Sequence, residues 1–136
     1  MVRRPGPEGA AIRVLLVDDE EDFARTLSKV LSRRGLDVDC AFSGEAALER
    51  LETTAYQVAV VDLKMPGMDG LELLERAKHR HPNLEVILLT AHGTVPAGIE
   101  GLRGGAADFL AKPVDPDALA LAITALAQGG GRSGDG

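Results

Sequence analysis

Four short apolar runs in this chain each give way to a residue that can do chemistry. The run 12–17 is followed by Asp18-Asp19-Glu20-Glu21-Asp22, the run 58–61 by Asp62, the run 85–89 by Thr90, and the run 107–111 by Lys112-Pro113. Carboxylates, a hydroxyl and an ammonium are the groups that handle phosphate and hard cations. Asp18, Asp19 and Asp62, if brought together, repel strongly, so either one carboxylate keeps its proton or a cation neutralises the cluster. Oxygen ligands from carboxylates, a carbonyl and water suit Mg²⁺, which keeps several waters and often holds a phosphate. An aspartate beside Mg²⁺ and the Lys112 ammonium is poised as an anionic nucleophile toward phosphorus, giving an aspartyl phosphate. Metal and lysine share the charge on the equatorial oxygens, and the Thr90 hydroxyl can donate a hydrogen bond to one of them. Each residue alone has an ordinary reading: Asp and Thr after a strand often cap the next helix, and a lone Lys is usually solvated. Their recurrence at four run ends is the signal.

The elements that must position these residues alternate along the chain. The β-branched runs lack polar alternation, as do strands buried on both faces of a parallel sheet. Residues 36–42 read as a further strand. Between the strands lie amphipathic segments. Phe23, Leu27, Val30 and Leu31 share one helical face, and Gly35 marks its end. Ser43 is placed to cap a helix carrying Ala46, Ala47, Leu48 and Leu51. A third helix turns Leu71, Leu74 and Ala77 or Lys78 toward the sheet, and Pro82-Asn83 ends it. The segment 94–104 is the weakest helix, with Pro96, Gly98, Gly101 and Gly104; each interior Gly costs roughly 1 kcal/mol against Ala. The last helix, 115–127, turns Leu119, Ala122, Ile123 and Leu126 inward. Five strands and five helices in strict alternation predict an α/β domain with right-handed crossovers and helices on both faces. Ligands of such sheets lie beyond the carboxyl ends of the strands, where the strand order reverses.

Composition narrows the function. The 136 residues fit one domain, and 45% are hydrophobic, enough for a core without disulfides. A net charge of −6 argues against nucleic-acid binding, which needs a basic face. Cys40 is the only cysteine and falls in an apolar run, so it reads as a small core residue. Arg3 and Arg4 precede no apolar stretch, so no signal peptide is expected, and no run is long enough to span a membrane. The expected location is the cytoplasm. Residues 1–11 read as a flexible lead, 12–127 as the domain, and the Gly-rich 128–136 as a tail or linker.

The stretches Leu15-Leu16-Val17-Asp18-Asp19-Glu20, Val60-Val61-Asp62-Leu63-Lys64-Met65-Pro66-Gly67-Met68-Asp69-Gly70, Leu88-Leu89-Thr90-Ala91 and Gly105-Ala106-Ala107-Asp108-Phe109-Leu110-Ala111-Lys112-Pro113 resemble the receiver domain of bacterial two-component response regulators. The resemblance covers 12–127 in order and spacing. It implies a flavodoxin-like, doubly wound five-stranded parallel sheet of order 2-1-3-4-5. It also implies that Asp62 accepts a phosphoryl group from a sensor histidine kinase or phosphotransfer protein. Asp19, Asp62 and the Lys64 carbonyl would ligate Mg²⁺, with Asp18 acting through water. Lys112, Thr90 and the amides of Lys64 and Ala91 would contact the phosphoryl oxygens. Thr90 and Phe109 would form the switch, acting on a face made by the fourth helix, fifth strand and fifth helix. Lys112-Pro113 would be cis, a form that X–Pro bonds adopt at small cost.

Some positions add to the pattern. The switch aromatic is Phe109 and has no hydroxyl. Lys64 and His92, two residues after Asp62 and Thr90, carry neither carboxylate nor carboxamide to orient an attacking water, so the phosphorylated form is expected to last. The last helix has no Lys or Arg between Asp115 and Gln128, which disfavours dimerisation through a charged network there. Leu121 lies opposite the inner face, placed for a hydrophobic partner or a homodimer contact. His79 and His81 do not share a helical face and read as solvated. Three competing classes fit less well. An aspartyl-phosphate hydrolase needs an acid where Lys64 stands. A flavodoxin-like cofactor binder needs a phosphate loop where the acidic run 18–22 stands. A phosphorylation-independent interaction module leaves the complete acceptor set unexplained. The output domain or target lies outside what these residues specify.

Overall fold

The computed structural model describes residues 11–91 and 95–129. Its elements run β1 (Arg13–Val17), α1 (Glu21–Arg33), β2 (Asp37–Ala41), α2 (Gly44–Thr53), β3 (Val58–Asp62), α3 (Gly70–Arg80), β4 (Glu85–Thr90), α4 (Val95–Arg103), β5 (Asp108–Ala111) and α5 (Pro116–Ala127). All strand pairs are parallel, in the order β2-β1-β3-β4-β5. The predicted alternation and strand order are those observed, with boundaries shifted by a residue at several ends.

Burial explains the run pattern. Every residue of β3 is buried, as are all but the first of β1 and β4. The edge strands β2 and β5 are only partly covered. Two core clusters lie on opposite faces of the sheet. One joins Leu15, Val61 and Leu88 to α2 and α3 through Ala47, Leu51, Leu73 and Leu74. The other joins Leu16, Val60 and Leu89 to α1 and α5 through Leu27, Leu31, Leu119 and Ile123.

Local chemistry starts the helices. Ser43 Oγ accepts from the Ala46 N–H at 3.0 Å, and Asp69 Oδ1 accepts from the Glu72 N–H at 2.9 Å. Asp115 caps α5, with Pro116 opening its first turn. Because α3 begins at Gly70, its buried face is Gly70, Leu73, Leu74 and Ala77, and Leu71 is only partly covered. The register expected from Leu71 is therefore rotated toward Leu73.

The glycines of α4 have a positive role beside their cost. A Cβ on Gly101 would lie 2.1 Å from Leu88 Cδ1 of β4. Gly101 lets the helix backbone settle directly on the sheet. Leu121 is 73% exposed, as its place on the wheel predicts. Cys40 is half-buried, with Sγ 3.7 Å from the Ala24 carbonyl, and burial raises its thiol above the ordinary range. His79 is exposed, whereas His81 is partly covered and lies 3.4 Å from Glu52. Among the described residues no helix is long and apolar enough to cross a membrane.

Candidate functional site

Register builds the site. Val17 of β1 pairs with Val61 of β3, which puts Asp18 and Asp62 side by side one step further on. Asp62 pairs with Leu89, so Thr90 follows at the same rim, and Thr90 pairs with Ala111, the residue before Lys112. The rim lies at the carboxyl ends of β1 and β3, where the order of strands reverses.

Three carboxylates meet there. Asp18, Asp19 and Asp62 each offer an oxygen, all within 4.8 Å of one another. Asp18 is fully buried and Asp62 nearly so, whereas Asp19 is exposed. Asp18 is held at both oxygens: Oδ1 accepts from the Glu20 N–H at 2.9 Å, and Oδ2 accepts from Lys112 Nζ at 2.9 Å. Lys112 Nζ also lies 3.3 Å from Asp62 Oδ1 and 3.8 Å from Glu20 Oε1. The Lys112 backbone N–H donates to the Thr90 carbonyl at 2.7 Å, tying the ends of β4 and β5. The Lys112-Pro113 peptide is cis.

The charge balance is unfavourable to Asp62. Burial first, then the Asp18 carboxylate, push its carboxyl up to about 6, against the pull of Lys112. Burial alone would lower Lys112, but the hydrogen bond to Asp18 and the charges of Asp62 and Asp18 outweigh it and hold the ammonium above its usual value. One lysine does not neutralise three carboxylates. The donor set is all oxygen and anionic, which fits a hard divalent cation such as Mg²⁺.

The remaining expected residues fall around this cluster. Thr90 is buried at the end of β4, and Ala91 follows it at the surface. Lys64 is exposed two residues past Asp62. Phe109 of β5 is partly buried against the α2–α3 core cluster, and its N–H donates to Asp108 Oδ1 at 2.8 Å. His92 lies outside the described residues. Two neighbours of Lys112 were not singled out from the sequence: Glu20, and Phe23, whose ring centroid is 4.5 Å from Nζ. Phe23 lies on the first turn of α1, and no spacing in the sequence links it to Lys112.

Comparison with known proteins gives one consistent result. A family model described as the response regulator receiver domain matches residues 14–124. The transcriptional regulatory protein TctD of Salmonella typhimurium is 43% identical over 115 residues, covering 85% of this chain and 51% of that protein. The response regulator protein FleR of Pseudomonas aeruginosa is 41% identical over 128 residues, covering 93% of this chain and 27% of that protein. The chain thus spans about half, or less, of the length of these relatives. Among solved structures, the Francisella response regulator 1452 receiver domain superposes with TM-score 0.81 at 34% identity, covering 86% of this chain and 97% of that one. The CheY-like receiver domain protein of Methanospirillum hungatei superposes with TM-score 0.84 at 28% identity, covering 92% and 100%.

Proposed function

The chain belongs to the response regulator receiver domain family, and on that premise we propose that it is a phosphorylation switch with Asp62 as the acceptor. The observation that carries this reading is the convergence of Asp18, Asp19, Asp62 and Lys112 at one rim. In the proposed step an Asp62 carboxylate oxygen attacks phosphorus. The bond from phosphorus to the donor nitrogen or oxygen breaks, and the leaving group departs with the electron pair. The product is an acyl phosphate on Asp62.

Asp19, Asp62 and the Lys64 carbonyl would hold Mg²⁺, with Asp18 reaching it through water. Bound there, the ion would offset the carboxylate repulsion and the charge on the phosphoryl oxygens. Lys112 would release Asp62 to follow the transferred group, keeping its bond to Asp18. The Thr90 hydroxyl and the amides of Lys64 and Ala91 would donate to the phosphoryl oxygens. Thr90 and Phe109 would pass the change to α4, β5 and α5, which meets a downstream effector or a second copy. The phosphoryl donor would be a histidine kinase or phosphotransfer protein in the cytoplasm.

The test is intact mass after incubation with acetyl phosphate, with Mg²⁺ and with EDTA. One hydroxylamine-labile phosphoryl group that depends on Mg²⁺ supports the proposal. If neither acetyl phosphate nor a phosphorylated kinase labels the protein, the phosphorylation-independent module is the better reading.

The exposed Lys64 also yields an expectation for the lifetime. Lys64→Glu or Lys64→Gln is expected to speed hydrolysis of the phosphorylated form, because either group orients an attacking water. Decay of the label after donor removal measures this; an unchanged or slower rate defeats the idea.

A further inference from the structure

The Lys112 ammonium is contested. It lies 2.9 Å from Asp18, 3.3 Å from Asp62 and 3.8 Å from Glu20, and Glu20 has a side chain 69% exposed to solvent. A lysine side chain has four carbons and several rotamers, so a charge pair alone leaves it free to swing outward. Its fourth neighbour differs in kind. The Phe23 ring lies with its centroid 4.5 Å from Nζ. We propose that Phe23 is a positioning residue for Lys112, its ring forming the seat on which the ammonium rests while it bridges Asp18 and Asp62.

The face of an aromatic ring is negative and attracts a cation, more strongly when water is excluded. Only 20% of the Lys112 side chain is exposed. The ring is neutral, so it steadies the ammonium without adding a carboxylate to a site that already carries too many. Phe23 is itself fixed, since it sits in the first turn of α1 and packs against the α1–α5 core cluster. It cannot follow Lys112 outward toward Glu20.

The effect on phosphorylation rests on the phosphoacceptor reading, but the seat can be tested apart from it. Phe23→Leu keeps apolar bulk and removes the aromatic face; Phe23→Tyr keeps the face. In metal-free protein, without any donor, the Lys112 ε-methylene protons should resonate upfield of the other lysines. The shift should persist in Phe23→Tyr and vanish in Phe23→Leu, with the melting temperature of the Leu variant little changed. With Mg²⁺ and acetyl phosphate, Phe23→Leu should label about threefold to tenfold more slowly, and Phe23→Tyr at close to the wild-type rate. An unshifted Lys112 in the wild type, or labelling of Phe23→Leu at the wild-type rate, overturns the proposal. A wild type that shows the shift and never labels rejects the phosphoacceptor reading and upholds the seat. If Phe23→Leu is itself unstable, the shift in the wild type and in Phe23→Tyr decides.

Discussion

Asp62→Asn is expected to take up no phosphoryl group and yet to melt higher than the wild type, by roughly 5–10 °C in metal-free buffer near pH 7.5. Both effects come from one carboxylate. Asn has no anionic oxygen to attack phosphorus, so labelling by acetyl phosphate should fall to background. The stability gain follows from the raised carboxyl of Asp62, which titrates at about 6 in the folded chain against 3.8 for an unperturbed group. Well below pH 3.8 folded and unfolded chains both hold the proton, and the charge imposes no penalty. As the pH rises toward 6 the unfolded chain gives up its proton before the folded chain does, so stability falls. Above about 7 the whole penalty is present, at most about 3 kcal/mol from 1.36 kcal/mol per pH unit. The advantage of Asp62→Asn should therefore be small at pH 4 and grow to its full size by pH 7. Mg²⁺ should raise the melting temperature of the wild type far more than that of the variant. Thermal melts across this range in EDTA and in Mg²⁺ measure both; an advantage independent of pH would assign the gain to something other than charge.

Gly70→Ala should damage the site from behind. A Cβ built on Gly70 would lie 2.6 Å from the Asp62 carbonyl oxygen and 2.7 Å from Leu63 Cα. Both are main-chain atoms at the end of β3, and the Gly70 N–H donates to the Leu63 carbonyl at 2.8 Å. The helix start therefore rests against the backbone that carries Asp62. Ala is the better helix former by about 1 kcal/mol, but overpacking of this kind costs about 1–3 kcal/mol. A net loss of up to about 2 kcal/mol is expected. Displacement of Asp62 should slow labelling by about tenfold to a hundredfold, since reaction rates are sensitive to shifts of an ångström. Gly44→Ala provides the contrast, because its new Cβ meets the Met68 side chain. The nearest atoms are Met68 Sδ at 2.6 Å and Met68 Cβ and Cγ at 2.9 Å, so the segment around Met68 must shift as well as its thioether. None of them belongs to Asp62 or Leu63, and labelling should stay near the wild-type rate. Urea unfolding and labelling kinetics on the two variants test the distinction. Equal slowing in both would show that helix-start packing in general, not contact with the backbone of Asp62, governs the rate.

The positions of Asp18, Asp19, Asp62, Thr90 and Lys112 were legible because each interrupts or follows an apolar run, and parallel strands bring such ends to one rim. The strand order came from resemblance, since alternation alone does not rank the strands. Phe23 was seen only as a member of an amphipathic stripe. Periodicity gives it a face, but only the fold shows that the first turn of α1 stands beside the end of β5. Helix propensity makes Gly101 a weakness of α4, because it counts only the cost within the helix. Its benefit depends on Leu88, a residue on a different element. The Leu71–Leu74 spacing is as helical as the observed Leu73–Ala77 one, and only the close approach of Gly70 to the end of β3 fixes which of them faces the sheet.

The bond from Lys112 to Asp18 joins residues 94 apart in sequence. Closing so long a loop costs entropy that only the intervening packed strands can repay. No short peptide from this chain can assemble the cluster, and a nascent chain lacks it until β5 has been synthesised and docked. Uptake of a phosphoryl group would therefore report completed folding as well as an incoming signal. Chains still unfolded, or cleaved between β1 and β5 and separated, would stay silent with no need for a separate safeguard.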